Sequence, residues 1–163
     1  MMKIFLWSVT PLLAVTLVYA EPIASNDIYV LDANTVDMTG QRIRLVGFDP
    51  PGEGERAGCA NERTLATRAA ARLRQIIRRG DRIDLQMVAC PCPPGTEGTQ
   101  QCNNGWSCGR LTVDSKDVGA TLVAEKLAHA FVCGQYSCPK RASWCAVESP
   151  KQRALLADER HAG

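Results

Sequence analysis

The stretch Gln41-Arg42-Ile43-Arg44-Leu45-Val46-Gly47-Phe48-Asp49-Pro50-Pro51-Gly52 decides how this chain folds. From Gln41 to Phe48 the alternation predicts a strand, with Ile43 and Leu45 on one face and Arg42, Arg44 and Val46 on the other. The run Pro50-Pro51-Gly52-Glu53-Gly54-Glu55 then breaks regular structure and predicts a loop. Upstream, Ile28 to Leu31 and Val36 to Met38 read as strands flanking a turn at Ala33-Asn34. Met38-Thr39-Gly40-Gln41 reads as a tight turn into the third strand.

Downstream, Asn61 to Arg79 is the clearest helix. Asn61 suits the N-cap, Glu62 the first turn and Gly80 the position after the last turn. Leu65, Ala69, Leu73, Ile76 and Ile77 recur at helical spacing and predict the core face. Arg82 to Val88 alternates and predicts a strand, and Arg110 to Val113 another. Between them, Cys90 to Cys108 is rich in Pro, Gly and Asn without periodicity, which predicts an inserted surface loop held by disulfides. Asp117 to Phe131 predicts a second helix with Val118, Leu122, Val123 and Leu127 as its apolar stripe, and about Ser149 to His161 a third. No internal repeat or second domain boundary is visible. The order of elements predicts an α+β domain: a five-stranded Greek-key barrel of the oligonucleotide-binding (OB-fold) type, with two or three packed helices.

Composition narrows the setting. Residues 1–20 have the form of a signal peptide: Lys3, an apolar run from Ile4 to Val18, and a small-residue cleavage site at Val18-Tyr19-Ala20. Residues 21–163 then form one domain-sized chain with no integral membrane span, expected in the periplasm or the medium and expected to be a monomer. All eight cysteines lie in that part, and an even count in an exported chain predicts a disulfide framework whose pairing the spacing leaves open. A zinc site at Cys90, Cys92, Cys102 and Cys108 is the weaker reading, since clean Cys-x-x-Cys knuckles are absent. A formal net charge of +2 excludes a general polyanion trap. The arginines between Arg63 and Arg82 read as a solvated helix face rather than a phosphate-attracting surface.

Three short segments carry the chemistry: Asp32-Ala33-Asn34-Thr35, Arg44 through Pro51, and Cys108-Gly109-Arg110. Arginine offers a planar, permanently charged fork that clamps a phosphodiester, which makes Arg44 and Arg110 candidate phosphate donors. Aspartate oxygens suit a hard divalent cation, which makes Asp32 and Asp49 candidate metal ligands. In this order, with a helix between them, the segments resemble the staphylococcal-nuclease (thermonuclease) family from about Tyr29 to Phe131. The run from Arg42 to Asp49 is similar to that family's Arg-x-Arg-Leu-x-Gly-Ile-Asp-x-Pro-Glu. Gly109-Arg110-Leu111 is similar to its Tyr-Gly-Arg-Leu, and Asp117-Val118-Gly119 through Lys126-Leu127-Ala128 to its late helix.

The resemblance implies a calcium ion held by two aspartates and a backbone carbonyl, a glutamate that activates water, and two arginines that hold the phosphate as charge develops on it. By position it implies Arg44 and Arg110 as the catalytic arginines, and Asp32, Asn34 and Asp49 with the Pro50 carbonyl as calcium ligands. Thr35 matches the motif's threonine. Four positions depart from the pattern. Asn34 replaces a metal aspartate, which lowers the charge of the ligand set. Gly52 stands where the base glutamate belongs, so Glu53, one residue later, is the candidate base. Ala33 replaces a glycine, and Cys108 replaces the tyrosine before Gly109-Arg110.

The function this implies is exported, calcium-assisted phosphodiester hydrolysis of DNA or RNA. The alternative is a catalytically inactive module that binds nucleic acid, another anionic ligand or a protein partner in the cell envelope, with the Cys90 to Cys108 insertion as a recognition surface. A plain scaffold is the third reading. His129 and His161 fall in no ligand or nucleophile motif. Trp106, Trp144 and Tyr136 read as covers for a disulfide or a core edge rather than as base-stacking platforms.

Overall fold

The computed structural model describes residues 23–145. The expected signal peptide, the expected third helix and His161 lie outside that range. The elements in order are β1 (Ile28–Asp32), β2 (Thr35–Met38), β3 (Gln41–Leu45), β4 (Gly47–Asp49) and α1 (Ala60–Arg79). They continue with β5 (Ile83–Val88), β6 (Ser107–Val113), β7 (Lys116–Asp117), α2 (Val118–Ala124) and β8 (His129–Phe131). The fold is α+β. A mixed six-stranded sheet runs β1-β2-β3-β6-β5, with β7 added to β6, and β4 and β8 form a separate pair. Within the large sheet β3 and β6 are parallel and the other pairs antiparallel.

The sheet is an open path: among the described residues no ladder joins β5 back to β1. One backbone hydrogen bond links the segment ahead of β1 to the first residue of β5, from Ile23 N–H to the Ile83 carbonyl at 3.2 Å. The core lies between the sheet and the helices. Ile43, Leu45, Val36, Ile83 and Leu111 of the sheet meet Ala69, Leu73 and Ile77 of α1 and Leu122 of α2. Leu65, expected on the core face, is only half-buried, and Ala66 takes its place with Ala70.

Three local departures from the sequence expectation matter for function. The strand expected over Gln41 to Phe48 breaks at Val46, where the chain swings into Gly47, whose φ of +97° is open to glycine without cost. The chain turns there, so Phe48 is buried and Asp49 leaves the large sheet. The helix expected over Asp117 to Phe131 stops at Ala124, because Lys126 adopts a left-handed φ of +60° and the Leu127 N–H closes onto the Leu122 carbonyl at 2.8 Å. His129 to Phe131 then pairs with β4. Leu127 and Ala128 stay buried through that turn, so the apolar spacing gives no sign of the break. Finally, Cys59 rather than Asn61 caps α1.

All eight cysteines are paired: Cys59–Cys145, Cys90–Cys108, Cys92–Cys102 and Cys133–Cys138. Two of the bridges close the insertion between β5 and β6. No helix among the described residues is long and apolar enough to cross a membrane.

Candidate functional site

The β1–β2 turn, the end of β3, the loop after β4 and a segment of the C-terminal tail meet in one small recess. It is lined by Asp32, Asn34, Arg44, Glu53, Arg56 and Arg141 among others. Asp32 makes the turn itself, its Oδ1 accepting the Asn34 backbone N–H at 2.9 Å. In the amide orientation that satisfies both neighbours, the Asn34 side chain donates to Asp32 Oδ1 at 3.0 Å and accepts from Arg44 Nη2 at 3.2 Å. The other carboxylate oxygen of Asp32 pairs with Arg56 at 3.4 Å. Asp49 pairs with Arg141, Nε to Oδ2 at 2.8 Å, and Arg141 Nη2 also donates to the Pro50 carbonyl at 3.0 Å. Burial pushes the Arg44 pKa down, while Asp32 and Asp49 pull it up. For Glu53, burial and then Asp32 push the pKa above the usual glutamate value against the opposing charges of Arg56 and Arg74.

Arg44 also borders a larger cleft of about 560 Å³. That cleft runs between the β3–β4 bend, the disulfide-closed insertion and the loop closed by Cys133–Cys138, with the half-exposed Tyr136 on its wall. Arg110 lines it from β6. Arg44 is in register with Cys108, two residues before Arg110, so both arginines project from one face of the sheet. The structure therefore groups Asp32, Asn34, Arg44 and Glu53 in the recess, with Asp49 buried against Arg141 at its edge. Arg110 stands apart and shares only the larger cleft with Arg44.

The calcium ligands implied by the resemblance do not fit a metal in this arrangement. The Asp49 carboxylate and the Pro50 carbonyl are held by Arg141, one Asp32 oxygen by Arg56, and the Asn34 oxygen is turned to Arg44. Thr35 Oγ1 is buried without a hydrogen-bond partner, and a hydroxyl alone is a weak calcium ligand. Cys59, Glu62 and Cys145 also lie close together, but the two sulfurs are bonded to each other.

Three residues that shape the site carried no functional reading in the sequence: Arg56, Glu62 and Arg141. Glu62 is buried, its two oxygens accepting the Gly52 and Gly58 N–H groups at 2.8 and 2.7 Å. It sits three residues after the cap Cys59, which is the spacing of a capping box. Burial alone would raise its pKa, yet the two amides and Arg141 outweigh it and hold the carboxyl below the usual range. A lowered folded value means that Glu62 contributes its full stability above the ordinary glutamate pKa and loses it as the pH falls through the folded one. Glu62→Ala is expected to cost about 2–3 kcal/mol in urea unfolding, since two loop amides lose their acceptor. Glu62→Gln should flatten the acid limb of the stability curve, and an unchanged limb would refute this role.

The loop is built around glycine at position 52. A Cβ there would fall 2.5 Å from the Arg56 carbonyl oxygen and 3.2 Å from Glu62 Oε1. Restoring the base by Gly52→Glu, alone or with Asn34→Asp, is therefore expected to lower the melting temperature and to produce no hydrolysis. The paired measurement is thermal unfolding and oligonucleotide cleavage, and a stable hydrolytic variant would overturn it.

Elsewhere, the basic stretch is partly paired: Arg72 with Glu125 and Arg82 with Asp84, while Arg63, Arg68, Arg78 and Arg79 are solvated. His129 lies in β8 opposite Asp49, not in a helix, and stacks on Trp144 at 3.9 Å between centroids. Trp106 lies beneath the Arg42 guanidinium. No protein-family model matches the chain, and no curated protein matches it.

Proposed function

We propose that this chain is an exported, thermonuclease-like domain of the OB-fold type that binds nucleic acid by its phosphodiester groups, using Arg44 and Arg110 in the larger cleft. The observation that carries this reading is the pair of arginines on one sheet face at the wall of a single cleft. A planar guanidinium pair suits a phosphodiester, and Tyr136 offers an aromatic face for a base. The strand order and the Ile23–Ile83 hydrogen bond support the barrel type. Four disulfides support an oxidising compartment and hence export.

Binding is favoured over calcium-assisted hydrolysis because guanidinium and amide nitrogens engage the ligand set the resemblance implies. One observation favours a second reading, metal-free hydrolysis with Glu53 as base. Glu53 shares the recess with Arg44, and its raised pKa makes it a stronger base than a free glutamate. The test is fluorescence anisotropy of a labelled single-stranded oligonucleotide, with the same samples resolved for cleavage. Binding that survives chelator and weakens with salt supports the binding module. Cleavage lost in Glu53→Gln supports the second reading. Neither binding nor cleavage would leave the domain as scaffold.

A further inference from the structure

Arg141 already holds the two oxygens that a hard cation would take first. Its guanidinium binds Asp49 Oδ2 through Nε and the Pro50 carbonyl through Nη2, in one planar fork. The Asp49 side chain is 3% exposed, and Arg141 is its sole salt-bridge partner among the described residues. A carboxylate at that depth is retained only when paired. The approach of Arg141 is fixed covalently. Cys145, four residues further on, is joined to Cys59 at the start of α1. Between them Trp144 stacks on His129, the register partner of Asp49. A backbone carbonyl and a buried carboxylate, both facing one permanently charged group, form a cation site whose cation belongs to the chain.

We propose that Arg141 is the resident cation of this site: the strap 139–145 seats its guanidinium where a divalent ion would bind, so the site is metal-independent and refuses divalent cations while the strap is closed. This holds whatever the larger cleft binds, because it rests on the contacts of Arg141 alone.

The test is a terbium titration of the oxidised full-length chain, read by luminescence sensitised through Trp144, with calcium added in competition. The wild type is expected to stay dark. Arg141→Ala is expected to luminesce, with calcium competing at a Kd on the order of 10⁻⁴–10⁻³ M, the weak range for a site with few carboxylates. Adding Asp49→Asn should abolish the gain. Arg141→Gln keeps an N–H donor beside Asp49 should the alanine variant not fold, and it is expected to gain the same signal. Arg141→Lys keeps the charge and is expected to stay dark. The proposal is overturned if the wild type binds terbium and calcium as tightly as the variants. It is also overturned if a folded Arg141→Gln chain is dark, or if Arg141→Lys binds like the alanine variant. Oligonucleotide affinity, measured separately on the wild type, decides the proposed function and is untouched by any of these outcomes.

Discussion

Arg44→Ala is expected to weaken single-stranded oligonucleotide binding by roughly 10- to 150-fold, the loss that follows from removing a hydrogen bond to a charged group worth about 1.5–3 kcal/mol. Arg44 borders both the acidic recess and the larger cleft, so its loss removes the guanidinium proposed to donate to phosphate and leaves Asp32 and Asp49 less compensated. Both effects act in one direction on an anionic ligand. Arg110 is exposed on β6 with no carboxylate in salt-bridge range among the described residues, so Arg110→Ala should cost less and act mainly through the salt dependence. Arg44→Lys should not rescue, because an ammonium cannot reproduce the fork that holds both Asn34 and a phosphate. Anisotropy titrations at two salt concentrations check all three variants, with thermal unfolding run alongside to exclude loss of fold. Equal affinities for wild type and Arg44→Ala would sink the phosphate-clamp reading.

The second large effect concerns stability. The double variant Cys59→Ser/Cys145→Ser is expected to lose about 4 kcal/mol, since the bridge spans 86 residues of sequence and long closures restrict the unfolded chain most. The loss extends beyond chain entropy. The bridge also holds the start of α1 against the tail, and with it Glu62, which pins the 52–58 loop. By comparison Cys133–Cys138 closes only 5 residues of sequence and should contribute about half as much, roughly 2 kcal/mol. Urea unfolding of both double variants compares them directly. Equal losses would show that the long bridge has no special place.

The sheet and α1 were readable from sequence because their signals are local. The 41–45 alternation puts Ile43 and Leu45 in the core, and the helical spacing of Ala69, Leu73 and Ile77 does the same for α1. The break at Gly47 and the short α2 were not readable, since Phe48 and Leu127 are as apolar in the observed elements as in the expected ones. At the site, Asp32, Asn34 and Arg44 could be placed together through the family resemblance, and the structure brings them into one recess by way of the β1–β2 turn and the end of β3. Arg141 could not. Eight cysteines leave many pairings open, and the observed Cys59–Cys145 bridge is the one that ties the segment carrying Arg141 beside Asp49. Gly52 looked like a missing glutamate, whereas the packing shows a loop with no space for a side chain at that position.

The sequence separations of the four bridges also order their formation in time. Those closing 5, 10 and 18 residues of sequence need only local encounters, whereas the one closing 86 must wait for α1, the parallel β3–β6 pairing and the C-terminal tail. Residue 141 follows every strand and both helices in chain order, so the sheet can form and the insertion can close while Asp49 is still without its arginine. Completion of the acidic recess is thereby tied to the last of the four closures, the one that joins the start of α1 to residue 145.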